Sequence, residues 1–394
     1  MNCNIKIAYA LAYIRYSWFW LGTWVYYYLR FTNYAGIGII ETVLIITMTV
    51  FEIPTGALAD LLGKKNCLIL SSFIQFVGSI YMALAGSFFD IAFSVFILSV
   101  GATLYSGTLE ALVYDSLKAK RQESRFNKII ANVSSVQLFA VVISGAVSGV
   151  VYTLNPSLPY YLSGVLFFIG FVLSFFLQEP HVDTVKFSLN NFFIQTKQGF
   201  RQLFRTSSIA RHTLLLLSIT GILVIADEMG ESFLGVEFGF KEGSIGIFFA
   251  LIYLIAATVS QLTPRLSSTF NPVKATVFLS FLVAATFILS PFVGLLLGGI
   301  TLVVRQSLAT ITNNLASVII NQHTESKYRA TTISSFNMIK NLPYMLSAYF
   351  IGSLMDLYSA KNIAAVMGVT ILVLITLQLF AFRYLSSGKN HNPV

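Results

Sequence analysis

The stretch FEIPTGALADLLGKK, from Phe51 to Lys65, joins two long apolar runs in the first quarter of the chain. The earlier run begins near residue 36 and the later one ends near residue 86. Each is long enough to cross a bilayer as a helix, which takes about 20 mostly apolar residues. The stretch between them carries small residues, a carboxylate and two lysines. It therefore predicts a short turn at a membrane surface between two transmembrane helices.

The composition extends this prediction to the whole chain. Of its 394 residues, 56% are hydrophobic and 10% are charged, whereas a soluble domain carries about 25% charged residues. A chain so poor in charge cannot cover its surface with polar groups, so lipid is the expected solvent. The first apolar run is too long for a signal peptide and is expected to stay as the first transmembrane helix.

Apolar runs of spanning length recur along the sequence and predict an all-α membrane protein of about twelve transmembrane helices in two pseudo-symmetric six-helix bundles. The runs cover residues 5–29, 36–60, 66–86, 89–112, 127–153, 158–178, 211–236, 242–262, 272–290, 293–320, 331–355 and 362–384. The predicted domains are a bundle in 1–178, a cytoplasmic linker in 179–210, a bundle in 211–385 and a cytoplasmic tail in 386–394. The similar segments ESRF at 123–126 and ESKY at 325–328, before the fifth and eleventh runs, favour two related halves.

Basic residues lie almost entirely on one side of this arrangement. With the first residue inside, the inner segments hold 19 Lys and Arg residues and the outer segments hold 3. This bias predicts that both termini lie in the cytoplasm. It also explains the formal charge of +9 without a nucleic-acid partner. The phenylalanines of the linker predict either an amphipathic helix on the lipid surface or a simple tether between the bundles.

The segment GALADLLGKK resembles the signature loop of the major facilitator superfamily, G-x-x-x-D-x-x-G-R-K/R. Gly56, Asp60, Gly63, Lys64 and Lys65 occupy the motif positions. The preceding FEIPTG is similar to bacterial efflux members of that superfamily. The resemblance implies the major facilitator fold and a secondary transporter of the bacterial cytoplasmic membrane, not an enzyme, that works by alternating access.

The resemblance also implies a conformational latch on the cytoplasmic side. Lys64 is expected to pair with Asp115 of the fourth run, and Asp60 is expected to bond the start of the eleventh run near Arg329. These contacts would hold one conformation and break on switching. The alternative is that Asp60 and Lys64 are ordinary loop charges. The fifth run also carries Gly145 and Gly149, which match part of an antiporter motif and equally suit close helix packing.

Several ionisable residues fall inside the predicted spans, where each costs about 2.5 to 3.5 kcal/mol to insert. Such residues are candidates for proton coupling or substrate binding, and structural ion pairs are the alternative. The acids Asp227 and Glu231 are four positions apart and share a helix face, although a solvated position at the outer entrance would also suit them. The full set is Arg15, Glu52, Glu110, Asp227, Glu228, Glu231, Arg305 and Lys340.

Motifs for nucleotide, metal or cofactor binding are missing from the sequence. It contains no phosphate-binding loop of the form G-x-x-x-x-G-K-S/T, its four histidines are scattered, and neither a metal nor a cofactor is expected. The leading hypothesis is proton-coupled efflux of a small lipophilic or cationic compound. Coupled or facilitated uptake of a polar metabolite is the second, and a non-transporting membrane sensor is the third. The expected partners are a small-molecule substrate, protons and membrane lipid, and a monomer suffices.

Overall fold

The computed structural model describes residues 3–180, 189–324 and 329–387, and regular structure in these ranges is helical. Within the helices, the side chains of residues 52–61, 189, 191–192, 195, 229, 329–331 and 381–387 lie outside the description. Before the linker the helices are α1 (Cys3–Arg15), α2 (Trp24–Tyr28), α3 (Tyr34–Leu62), α4 (Lys64–Ala83), α5 (Phe88–Tyr105), α6 (Thr108–Lys118), α7 (Phe126–Leu154) and α8 (Leu158–Ser174).

The linker contributes one helix, and the remaining helices follow the predicted runs. They are α9 (Leu189–Leu203), α10 (Ser207–Ile225), α11 (Glu231–Phe238), α12 (Glu242–Ser260), α13 (Thr263–Thr269), α14 (Pro272–Ile288), α15 (Leu295–His323), α16 (Arg329–Tyr358) and α17 (Ala360–Ser387). Among the described residues, nine helical segments are long and apolar enough to cross a membrane, and α8 is a shorter apolar helix. The all-α membrane fold is confirmed, while twelve spans stays a prediction.

The chain forms two compact units. The first contains residues 1–192 together with 241–254, and the second contains residues 193–240 and 255–394. In the first unit α4 packs against α5 and α8, and in the second unit α14 packs against α15 and α17. The segment 241–254, the first part of α12, therefore packs with helices from the other half of the sequence.

The first apolar run is not the single helix that its hydropathy predicts. Helix α1 ends at Arg15 and α2 begins at Trp24, and Gly22 between them has a φ of +75°. A side chain at Gly22 would also lie 3.2 Å from the carbonyl oxygen of Ile245. The Ser148 hydroxyl donates to the free carbonyl of Leu21 over 2.9 Å. Irregular backbone at membrane depth requires such a partner, because lipid cannot provide one.

Two other runs are interrupted. The fourth run divides into α5 and α6 at Gly107, which has a φ of +71°. The seventh run changes to a π-helix over Ala226–Gly230 before α11 begins. A π-helical turn holds one extra residue and occurs often at functional sites. In contrast, the predicted boundary at Ser290 is confirmed, because α14 ends at Ile288 and α15 begins at Leu295.

Candidate functional site

A polar network joins several helix ends in the first unit. Gly63, with a φ of +85°, turns the chain from α3 into α4. Beyond this turn, Lys64 Nζ lies 2.5 Å from Asp115 Oδ2, and the two side chains are only 12% and 7% exposed. The structure thus brings together the two residues expected to pair. Their role as a latch stays a prediction.

Glu179 is the member of this network that sequence reasoning missed. Its carboxylate accepts hydrogen bonds from the backbone amides of Lys64 (2.9 Å) and Lys65 (2.7 Å). The first amides of a helix have no partner within the helix, so the Glu179 carboxylate caps α4. Its negative charge also interacts favourably with the positive end of the helix dipole. A Cβ at Gly63 would lie 3.0 Å from this carboxylate, which favours glycine there on a second ground.

Asn4 extends the network to the start of α1. Its Nδ2 donates to Ser116 Oγ and to the carbonyl oxygen of Gln178, each over 2.8 Å. The Gln178 amide in turn donates to Asn4 Oδ1 over 2.9 Å. Asn4 is 3% exposed, so these bonds are shielded from solvent. The start of α1, the end of α6 and the segment after α8 are therefore fixed to one another.

Other predicted residues, both of the latch and among the coupling candidates, do not join this network in the described part of the chain. The side chains of Glu52 and Asp60, together with Gly56, lie outside the described residues, as does the side chain of Arg329. Glu110 lies in the first turn of α6 and is exposed.

The predicted acidic cluster lies in the second unit, on and after the π-helix. Asp227 and Glu228 are exposed, whereas Glu231 is 4% exposed. Gln306 Nε2 on α15 donates to Asp227 Oδ1 over 3.0 Å. Lys340 on α16 is half-buried and interacts electrostatically with both Asp227 and Glu228. The structure therefore places two carboxylates, an amide and an ammonium from three segments at one site.

Arg305 belongs to a different environment. Its side chain is fully buried, and Nη2 donates to the carbonyl oxygen of Thr286 and to Ser290 Oγ, both over 3.1 Å. The guanidinium carbon lies 3.9 Å from the centre of the Phe287 ring. Glu231 interacts with Arg305 electrostatically. Arg305 thus holds α15 against the end of α14, and its role in coupling or substrate binding stays a prediction.

The first unit contains a partly open cavity of about 140 Å³ beside the break in the first run. Arg15, Gln75 and Tyr28 lie in its wall together with aromatic and aliphatic side chains. The rings of Trp20 and Tyr160 also line it, stacked with centroids 6.1 Å apart. The Tyr160 hydroxyl is buried and finds no hydrogen-bond partner among the described residues. The cavity therefore combines polar donors with flat aromatic walls.

Comparison with known proteins identifies the family. The sequence profile of the Major Facilitator Superfamily matches residues 7–348. The chain belongs to this superfamily. The resemblance seen in the GALADLLGKK segment is thereby confirmed, and the protein is an integral multi-pass membrane transporter rather than an enzyme.

Relatives and solved structures agree with this membership. The chain is 25% identical over 252 residues to the Uncharacterized MFS-type transporter YxaM of Bacillus subtilis (strain 168), and the match covers 61% of each protein. The fold is similar to the crystal structure of nucleoside transporter NupG, with a TM-score of 0.80, 17% identity, and coverage of 98% of this chain and 100% of the other. It is also similar to a POT family transporter in complex with 5-aminolevulinic acid, with a TM-score of 0.71, 13% identity and coverage of 95% of each chain.

In this superfamily member, the two units differ in the side chains that could bind a ligand. The carboxylates of Asp227 and Glu228 repel each other, so together they favour uptake of a proton or another cation. The cavity beside Arg15 offers donors and aromatic rings. No group of three or more His, Cys, Asp or Glu side chains able to hold a metal occurs in the part of the chain that the structure describes.

Proposed function

We propose that this superfamily member is a proton-coupled antiporter of the bacterial cytoplasmic membrane that exports a small lipophilic or cationic compound by alternating access. The observation that carries the proposal is the pair of exposed carboxylates, Asp227 and Glu228, on the π-helical turn of the second unit.

Charge explains how this pair supports exchange. Two carboxylates and the single ammonium of Lys340 leave one uncompensated negative charge when all three groups are ionised. Either a proton or an organic cation neutralises that charge. Because the two compete for the same carboxylates, loading one releases the other, which is the requirement for antiport. An ionisable group at membrane depth is a functional candidate for the same reason.

We also propose an orientation in the membrane and an oligomeric state. The Lys64–Asp115 pair lies at the predicted cytoplasmic end of the first unit and would hold one conformation of the cycle as a latch. Both termini lie in the cytoplasm on this proposal, and the transporter acts as a monomer surrounded by lipid.

Everted membrane vesicles test the proposal directly. Vesicles acidified inside by respiration should accumulate ethidium, and an uncoupler should abolish the accumulation. Asp227→Asn and Glu228→Gln should each reduce it at least tenfold, whereas Glu123→Gln, an exposed carboxylate outside the cluster, should leave it unchanged. Ethidium uptake that survives both cluster substitutions would refute the proposed coupling site.

Uptake of a small polar metabolite is the second candidate, and the cavity of the first unit favours it. Arg15, Gln75 and the stacked rings of Trp20 and Tyr160 suit a flat polar molecule better than a cation. One structurally similar protein is a nucleoside transporter. Labelled uridine should then accumulate in intact cells, and Arg15→Gln should reduce the accumulation. Accumulation of uridine without any movement of ethidium would replace efflux by uptake.

A further inference from the structure

Two histidines that are far apart in sequence meet in the second unit, where the linker helix leads into α10. His212 lies near the start of α10, and His323 is the last residue of α15. Their ring centroids are 5.3 Å apart, and the planes are inclined by 44°. The expectation that the histidines are scattered is therefore wrong for this pair, because α10 and α15 pack together.

The hydrogen bond of His323 decides which of its ring nitrogens keeps a lone pair. His323 Nδ1 lies 2.7 Å from the carbonyl oxygen of Ile319. A carbonyl can only accept, so Nδ1 carries the hydrogen and Nε2 keeps a lone pair. His212 Nδ1 and Gln202 Oε1 are both buried, and neither has a hydrogen-bond partner among the described residues.

These groups line one small pocket of about 10 Å³, which is about the volume that a single water or ion occupies. Two hydroxyls in its wall already donate elsewhere, Thr213 to the carbonyl of Leu203 (2.9 Å) and Thr324 to the carbonyl of Ile320 (2.7 Å). The pocket therefore presents acceptors. A water has two hydrogens to offer, whereas a cation can bind every lone pair that points at it.

We propose that this pocket binds a divalent transition-metal ion of the zinc class, through His212 Nδ1, His323 Nε2 and Gln202 Oε1, with water in the fourth position. Imidazole ligands select zinc, nickel or copper over magnesium and calcium. Zinc–nitrogen bonds of about 2.0 to 2.1 Å in a tetrahedral site place two imidazole centroids roughly 5 Å apart, close to the separation observed. The bond from His323 to Ile319 is the outer contact that orients a metal-bound histidine.

The site would connect three elements of the second unit. Gln202 belongs to α9, His212 to α10 and His323 to α15. A bound ion would fasten the end of the linker helix to two helices of the bundle. Because His323 is exposed, an ion from solvent has access to the pocket.

The test uses the full chain purified in detergent through a tag without histidine and stripped with EDTA. Zn²⁺ binding is measured by competition with a fluorescent chelator. One ion per chain is expected, with at least a tenfold loss of affinity in His212→Ala and in His323→Ala and a smaller loss in Gln202→Ala. His181→Ala and His391→Ala are matched controls that should bind like the parent.

A second measurement separates loss of binding from loss of folding. Co²⁺ bound at the site should give the visible absorption of a tetrahedral complex, and His323→Cys should retain a site while changing that spectrum. Zn²⁺ should raise the melting temperature of the parent and the controls but not of His212→Ala. A Zn²⁺ affinity weaker than millimolar in the parent would show that the pocket holds only water. An unchanged affinity in the variant that carries both His212→Ala and His323→Ala would show the same.

Discussion

The carboxylate of Glu179 bonds two successive backbone amides at the start of α4, and Glu237 does the same elsewhere. In the second unit the Glu237 carboxylate accepts from the amides of Ala360 (2.5 Å) and Lys361 (3.0 Å) at the start of α17. In both places an acid from outside the capped helix satisfies amides that this helix cannot satisfy itself. Each acid therefore positions a helix end through a contact between elements.

Removal of the Glu179 carboxylate, which caps α4, should destabilise the first unit. Glu179→Ala should lower the free energy of unfolding by about 1 kcal/mol, the usual effect of losing a cap. Thermal unfolding in detergent, followed by tryptophan fluorescence, measures the change. Glu123→Ala removes an exposed carboxylate and serves as the control. Equal melting temperatures for the two variants would contradict the capping role.

The Lys64–Asp115 pair should be sensitive to loss of either charge. Asp115→Asn leaves a largely buried ammonium without its partner and should cost about 3 kcal/mol in stability, with a matching loss of transport. The exchanged pair, Lys64→Asp with Asp115→Lys, should recover part of both. Lys118→Gln, an exposed lysine of the same helix as Asp115, is the control. If the exchanged pair recovers neither stability nor transport, attraction between the two charges does not explain the effect of Asp115→Asn.

At the scale of elements, small residues decide how closely helices approach. Gly145 and Gly149 on α7 face the segment 241–254 within the first unit, where a Cβ at Gly149 would lie 2.5 Å from the carbonyl oxygens of Glu242 and Gly243. Gly246 of that segment similarly faces Ser148. The spacing of the two glycines is thus used for close backbone packing, which sequence analysis left open beside the antiporter motif.

Enlarging this contact should separate the helices. Gly149→Ala places a methyl group against backbone oxygens that cannot rotate away, and overpacking of this kind costs about 1 to 3 kcal/mol. The melting temperature in detergent and the transport rate should both fall. Val147→Leu on the same helix, where the side chain is 40% exposed, should change neither. A Gly149→Ala protein as stable and active as the parent would exclude close packing here.

Hydropathy predicts the positions of most helices but not their interruptions. Apolar runs identify a helix by composition, whereas the break in the first run depends on the φ of Gly22 and on a hydrogen bond from Ser148, more than 120 residues away. The π-helix at Asp227 keeps the same composition as an α-helix and leaves no periodic signal. The caps by Glu179 and Glu237 also depend on contacts that only the folded chain provides. The pairing of Lys64 with Asp115 was predictable because the family resemblance implies that the basic residue of the motif pairs with an acid of the fourth run.

At the scale of the whole molecule, the distribution of Lys and Arg residues predicts how the chain is oriented in the membrane. Inner and outer segments differ 19 to 3 in Lys and Arg residues, if the first residue lies inside. The bias predicts an even number of spans, since the last segments are also basic. The predicted orientation also defines which side of the transporter would face the proposed proton source.

Reporter fusions should therefore agree at the two ends. Green fluorescent protein should fluoresce at either terminus, and alkaline phosphatase should be inactive at both, because the positive-inside bias predicts that both ends lie in the cytoplasm. Phosphatase fused after residue 241 should be active, since that lysine belongs to a predicted outer segment. Ends on opposite faces would require an odd number of spans and would reverse one unit.

The interruption of the first apolar run has a consequence for biogenesis. Its irregular backbone at Leu21 is satisfied by Ser148 of the fifth run, and Gly22 packs on residues 245 and 249. None of these partners has been synthesised when the first run reaches the lipid. We expect the segment between Arg15 and Trp24 to reach its final backbone conformation only after α7 and α12 have been inserted. The N-terminal segment, made first, would then be among the last to reach its final conformation.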